Sequence, residues 1–156
     1  MKINMDVFMD NSNRKIIKEI AGNLDCGMDC YYNSKTDEII AIPNLSQVSD
    51  EEEFKKVFLE DLEKIKKQKS DFIKIEVLES FESFKIMEQF VEQMTDDKFK
   101  QELEIILIRK KPFQNFKHSI DNSDFRQNWF DFKQNELEEI VKNLLKTQKA
   151  NTHQNL

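Results

Sequence analysis

Glycine is almost missing from this chain: Gly22 and Gly27 are the only two in 156 residues. A loop that cradles phosphates with its backbone needs several glycines close together, so the nucleotide-binding fingerprints built that way are excluded. Cysteine is equally scarce. Cys26 and Cys30 stand four apart with no second pair, too few for a disulfide scaffold or a closed four-ligand zinc site. No stretch approaches the roughly 18 apolar residues of a membrane span. No charged segment leads into an apolar run of about 7 to 15 residues, as in a secretory leader. The chain is therefore expected to be cytoplasmic, with reduced thiols and no membrane partner.

Charge is what the chain has in quantity. Charged residues make up 35% of it and apolar ones 38%. The apolar ones recur periodically, as in a folded domain. The net charge of −6 disfavours non-specific nucleic-acid binding, whose affinity comes mainly from neutralised phosphates. The sign changes along the chain. Residues 109 to 156 hold nine Lys or Arg against six Asp or Glu, whereas residues 51 to 108 hold ten against sixteen.

Asn11 or Ser12 is placed to cap a first helix with Ile16, Ile17, Ile20 and Leu24 on one face and Gly22-Asn23 as its stop. Residues 26–32 and 37–43 read as a hairpin joined by Asn33-Ser34-Lys35-Thr36 and ended by Pro43. Ser49 with Glu52 reads as a capping box, opening a helix with one buried stripe of Phe54, Val57, Phe58, Leu62 and Ile65. Ile73, Ile75 and Val77 alternate with Lys74 and Glu76 in a third strand from Phe72 to Leu78.

Everything after that strand reads as helix. Phe84, Met87, Phe90, Val91 and Met94 mark one; Thr95 caps another with Phe99, Leu103, Ile106 and Leu107. Pro112 suits the first turn of a short helix with Phe113, Phe116 and Ile120 on one side. Ser123 caps a long helix from about Asp124 into the 140s. The expected fold is α+β: a single domain over residues 1–148 with a frayed tail at 149–156. It has a small antiparallel sheet of about three strands, helices mainly on one face, and an all-helical C-terminal half.

Candidate chemistry is sparse. Cys26 and Cys30, with Met28, would share one face of a strand, and Asp25 and Asp29 the other, so no ligand set closes and two buried core thiols are expected. His118 stands near Asp121 and Asp124 without a nucleophile, which specifies no catalytic site. Asp50 to Glu53 are accounted for by helix capping. No catalytic residue, metal or cofactor is expected, and an enzyme with dispersed catalytic residues is kept as an alternative.

The anomaly lies in the third quarter. Arg109, Lys110, Lys111, Phe113, Phe116 and Lys117 are followed by Phe125, Arg126, Trp129, Phe130, Phe132 and Lys133, which brings cations and six aromatic rings together in an acidic protein. At roughly 100° per residue, Arg126 and Lys133 fall inside the apolar arc of the last helix. Two readings follow. The side chains run their methylenes along the apolar surface with a cation–π contact to Trp129 or Phe130, or they form a docking surface for an acidic protein or a nucleic acid.

Arg109-Lys110-Lys111-Pro112-Phe113-Gln114-Asn115-Phe116-Lys117 and the later Trp129-Phe130-Asp131-Phe132 resemble a bacterial family, uncharacterised protein family 0158. Its members commonly show a Gly-Arg pair, a Phe-x-x-Phe-Lys run and then Trp-Phe-x-Phe. Asp29-Cys30-Tyr31-Tyr32 and Glu38-Ile39-Ile40 fit its hairpin more loosely, and the likeness runs from about Leu24 to Leu145. Ile108 stands where Gly usually precedes the Arg. The resemblance implies no activity, substrate, cofactor or catalytic residue. The expected function is that of a non-enzymatic binding or regulatory module using Arg109, Lys110, Lys111, Phe113, Phe116, Lys117, Arg126, Trp129, Phe130 and Lys133. RNA or single-stranded DNA is the alternative partner, and the oligomeric state is left open.

Overall fold

The computed structural model describes residues 11–44 and 49–154, with the side chains of 11–12 and 149–154 outside the description. Among the described residues there are seven helices and a three-stranded antiparallel sheet, an α+β fold with an all-helical C-terminal half. The chain forms two compact units, one of Met1–Val77 and Leu137–Leu156, the other of Leu78–Glu136.

The first unit is built on the sheet. Helix α1 (Asn11–Asp25) buries Ile16, Ile17, Ile20, Ala21 and Leu24. Its expected stop at Gly22 is not used: the helix continues to Asp25, and Gly27, at φ 81°, is the residue that turns the chain. There the Gly27 N–H donates to the Leu24 carbonyl at 3.0 Å. This closes the helix end in the left-handed conformation that a residue without Cβ adopts freely. The turn also displaces Cys26, which lies exposed between helix and strand, while Cys30 is buried in the strand. The expected pair of buried thiols is thus corrected. The Asn11 and Ser12 side chains proposed as caps lie outside the described residues.

Strands β1 (Met28–Asn33) and β2 (Glu38–Pro43) form the expected hairpin, with Tyr31 opposite Ile40. The buried Asn33 holds the turn, its Oδ1 accepting from the N–H groups of Lys35 and Thr36 at 2.9 Å and 3.4 Å. Strand β3 (Phe72–Ile75) pairs with β1, giving the order β2-β1-β3; it is shorter than the expected Phe72 to Leu78, because the Val77 N–H is taken by the Asp29 side chain instead of a neighbouring strand. Partners directly opposite share a face, so Cys30 and Ile75 look one way and Tyr31 and Lys74 the other. Cys30 Sγ reaches the Ile20 carbonyl at 3.9 Å, which sets α1 over the first of these faces.

The expected long amphipathic helix after Ser49 is two short ones, α2 (Glu51–Val57) and α3 (Leu59–Lys67), interrupted at Phe58. The cap is Asp50 rather than Ser49. Its Oδ1 accepts from the N–H groups of Glu52 at 3.1 Å and Glu53 at 3.2 Å. Neither helix contains a buried residue. The interruption turns Val57 outward to 68% exposure and leaves Phe54, Phe58, Leu62 and Ile65 half-buried, so the single buried stripe is not formed. Lys64 Nζ on α3 contacts Glu38 Oε2 on β2 at 2.6 Å. The Asp29 carboxylate joins three segments by accepting from the Val77 N–H at 2.9 Å and the Asn44 side-chain amide at 3.2 Å.

The second unit is helical. Helix α4 (Ser80–Glu92) buries Ile86, Met87, Phe90 and Val91, and Met94 follows, also buried. Helix α5 (Asp97–Leu107) buries Leu103 and is capped by Asp96, not by the expected Thr95. Helix α6 (Pro112–Asp121) starts with Pro at its first turn, as the fixed φ of that residue favours. The long α7 (Arg126–Gln154) runs to Glu136 in this unit and belongs to the first from Leu137 onward. The Ser123 hydroxyl donates to the Ile120 carbonyl at 2.8 Å and accepts from the Phe125 N–H at 3.1 Å, binding the end of α6 to the start of α7.

Candidate basic and aromatic surface

The ten residues proposed from sequence all lie in the second unit, on the α5–α6 turn, on α6 and on the first turns of α7. The structure divides them into a sealed set and an open set. Phe116 is 1% exposed and Trp129 8%. Their rings meet edge to face at 4.9 Å between centroids and 72°, and Phe90 of α4 packs against both, at 6.5 Å and 5.2 Å. Phe132 approaches the same Phe90 ring at 5.4 Å. Tilted and perpendicular pairs of this kind place the positive ring edge on the negative ring face. This part of the motif is a packing device that locks α4, α6 and α7.

Phe90 is the member that sequence reading assigned only to its own helix. All of α5 and the turns on either side of it separate Phe90 from Phe116 in the chain, too far for helical spacing to connect them. Phe125 is likewise engaged, stacked on Phe99 at 5.1 Å and 14°.

The open set begins at the end of α5. Ile108 is 85% exposed, and Arg109, Lys110 and Lys111 after it are exposed as well. Lys111 takes a left-handed conformation, φ 54° and ψ 53°, immediately before Pro112. Asn115 stabilises this turn: its side-chain amide donates to the Lys110 carbonyl at 3.0 Å and its N–H to the Lys111 carbonyl at 3.1 Å. Phe113 follows at 43% exposure, edge to face with Phe84 at 6.2 Å. Exposed Lys117 lies one turn further along the same side of α6, as residues four apart on a helix do. Among the described residues, none of Arg109, Lys110, Lys111 and Lys117 forms an ion pair.

Arg126 and Lys133 behave differently. The Arg126 guanidinium carbon lies 4.6 Å from the centre of the Phe130 ring, and its Nε is 3.3 Å from Asp121 Oδ1. Lys133 is half-buried, with Nζ 5.8 Å from the centre of the Trp129 ring. Both cations therefore run along their neighbouring rings, and one face of Phe130, itself 37% exposed, is occupied by Arg126.

His118 is exposed on α6, and its ring partner is Asn122, with Nδ2 3.4 Å from His118 Nδ1, not the carboxylates of Asp121 or Asp124. The strongly shifted groups lie in the other unit. Burial pushes the Cys30 thiol up to about 11. Burial, followed by the hydrogen bond to Asp37 at 2.7 Å, pushes the Tyr32 hydroxyl up to about 12. Among the described residues no three His, Cys, Asp or Glu side chains converge as a metal site would require, and no helix is long and apolar enough to cross a membrane.

An α+β chain with this three-stranded sheet and this ring-locked helical unit is the class the geometry defines. The model of the uncharacterised protein family (UPF0158) matches residues 8–155, and the chain belongs to that family. No curated protein and no solved structure matches it.

Proposed function

We propose that this protein is a non-enzymatic binding module of the bacterial cytoplasm, which docks an acidic segment of a partner protein on the turn between α5 and α6. One observation carries the reading. Ile108, Arg109, Lys110 and Lys111 form an exposed apolar and cationic tip whose charges enter no ion pair among the described residues, in a chain whose net charge is −6. Phe113 and Lys117 extend that tip along α6. Charge complementarity to an acidic segment speeds encounter and fixes register, and an exposed apolar anchor beside it adds affinity. The free thiols Cys26 and Cys30 agree with a reducing compartment.

The rings favour a protein partner over RNA or single-stranded DNA. Base stacking needs open ring faces, whereas Phe116 and Trp129 are buried and Arg126 takes one face of the 37%-exposed Phe130, which leaves Phe113, at 43% exposure, as the one ring of the set that is open and carries no cation.

Fluorescence anisotropy with a labelled glutamate-rich peptide containing leucines and with a labelled oligothymidylate tests the reading. The peptide is expected to bind the wild type and to lose at least about tenfold in affinity on Lys110→Glu with Lys111→Glu. Preferential, steeply salt-dependent binding of the oligothymidylate would transfer the surface to nucleic acid, and equal peptide binding by wild type and variant would end the proposal.

A further inference from the structure

The first unit carries a pocket that the basic tip does not involve. It measures about 440 Å³ and lies where α3 faces the Tyr31 side of the sheet. Its apolar walls are Tyr31 of β1, Leu62 and Ile65 of α3, and Phe72 of β3, all half-buried. Its charged lining consists of three lysines, Lys66, Lys69 and Lys74, and no carboxylate.

Each wall follows from local structure. Tyr31 and Lys74 are direct partners across β1 and β3, so both side chains rise from the same face. Lys74 Nζ lies 5.8 Å from the centre of the Tyr31 ring. Leu62 and Ile65 sit three apart on α3 and share its inner side. Lys66 occupies the last turn of that helix, and Lys69 follows just after Gln68 ends it. Lys74 is 3.2 Å from Glu76 Oε1, but Lys66 and Lys69 form no ion pair among the described residues.

We infer that this pocket binds a small apolar molecule bearing a single anionic head. The volume falls in the lower part of the range of roughly 300–1,000 Å³ typical of small-molecule sites. Apart from the Tyr31 hydroxyl the walls offer a ligand's body no hydrogen-bond partner, which disfavours a polyhydroxyl ligand such as a sugar. The rim selects the sign of the head. The C-terminal end of α3 contributes a partial negative charge of about half a unit, and the lysines outweigh it. These are compact ammonium groups rather than a planar guanidinium fork, so they recognise charge without distinguishing carboxylate from phosphate.

Chemical-shift perturbation in the full-length chain tests this with octanoate, octyl phosphate and octan-1-ol as probes. Octanoate or octyl phosphate is expected to saturate one site, with the largest shifts at Tyr31, Leu62, Ile65 and Phe72. Either anion should bind about tenfold more tightly than the alcohol, the sum of two or three modest surface charge interactions. The tighter of the two anions identifies the head group. Lys66→Glu with Lys69→Glu, whose folding is checked by circular dichroism, should bring anion affinity down to that of the alcohol. Lys66→Gln with Lys69→Gln should give an intermediate loss. The inference is overturned if the alcohol binds as well as the anions, if the shifts do not saturate, or if the charge-reversed variant binds octanoate unchanged.

Discussion

Arg126 rests its guanidinium on the Phe130 ring one turn further along α7, at 4.6 Å, while its Nε contacts Asp121 at the end of α6. A cation that sequence inspection marks as misplaced in an apolar arc is thereby used inside its own unit. The tip from Ile108 to Lys111 carries cations not so engaged. That contrast separates the part of the motif that fastens helices from the part available to a partner.

The Arg126 contacts are exposed, with side-chain exposures of 59% for Arg126 and 37% for Asp121. Exposed ion pairs and exposed cation–π contacts each contribute up to about 1 kcal/mol. A double-mutant cycle of Arg126→Ala and Asp121→Ala is expected to give a coupling below about 1 kcal/mol in urea unfolding. A coupling well above that would mean that the pair fastens α6 to α7 more strongly than its exposure allows.

The sealed rings behave in the opposite way. Phe116→Ala removes a 1%-exposed ring that touches Phe90 and Trp129. A loss of about 3–5 kcal/mol is expected, combining lost transfer free energy with the cavity left behind. Lys110→Glu, on the exposed tip, should change stability by less than about 0.5 kcal/mol. Equal effects in chemical denaturation would contradict the division into sealed and open residues.

Tyr32 sets a pH dependence at the alkaline end. Burial and then the Asp37 hydrogen bond favour the neutral phenol, raising its pKa from the ordinary 10.0 to about 12. A raised folded-state value means that this contribution is fully present below pH 10.0, the unfolded value, and is lost as pH rises through about 12. Wild-type stability should therefore fall between those limits, and Tyr32→Phe should show a shallower fall. Parallel curves for the two proteins would refute the assignment.

The two thiols should react at different rates. Cys26 is exposed in the turn after α1, whereas Cys30 is buried and its raised pKa keeps it protonated and unreactive. Native protein treated with iodoacetamide at neutral pH is expected to be modified at Cys26 alone, with Cys30 labelled only after unfolding. Mass spectrometry of the peptides distinguishes the two, and rapid labelling of both would show that β1 opens in the native state.

The hairpin, the third strand and the helix beginning at Pro112 are legible from local pattern because each is specified by neighbours in sequence: alternating side chains, turn residues, a ring that presets φ. The caps are displaced from their expected positions to the next residue, Asp50 for Ser49 and Asp96 for Thr95. Several polar residues in a row can each supply the oxygen, and only backbone geometry selects among them. The apolar spacing of Phe54 to Ile65 reads as one continuous stripe, yet the helix breaks at Phe58 and Val57 faces water. Periodicity records which residues could share a face but not whether another element covers it.

Within the candidate surface, sequence supplied the inventory of cations and rings and their clustering at α6 and the start of α7. Whether each was buried or open depended on contacts over long separations, above all Phe90 of α4 packing on both Phe116 and Trp129. Local order determined the strands, most of the helices and the charge of the tip, because those follow from a few neighbouring residues. Tertiary packing alone decided which rings were sealed, which lysines stayed outside ion pairs and that a lysine-rimmed pocket opens beside Tyr31, because each depends on surfaces brought together from distant parts of the chain.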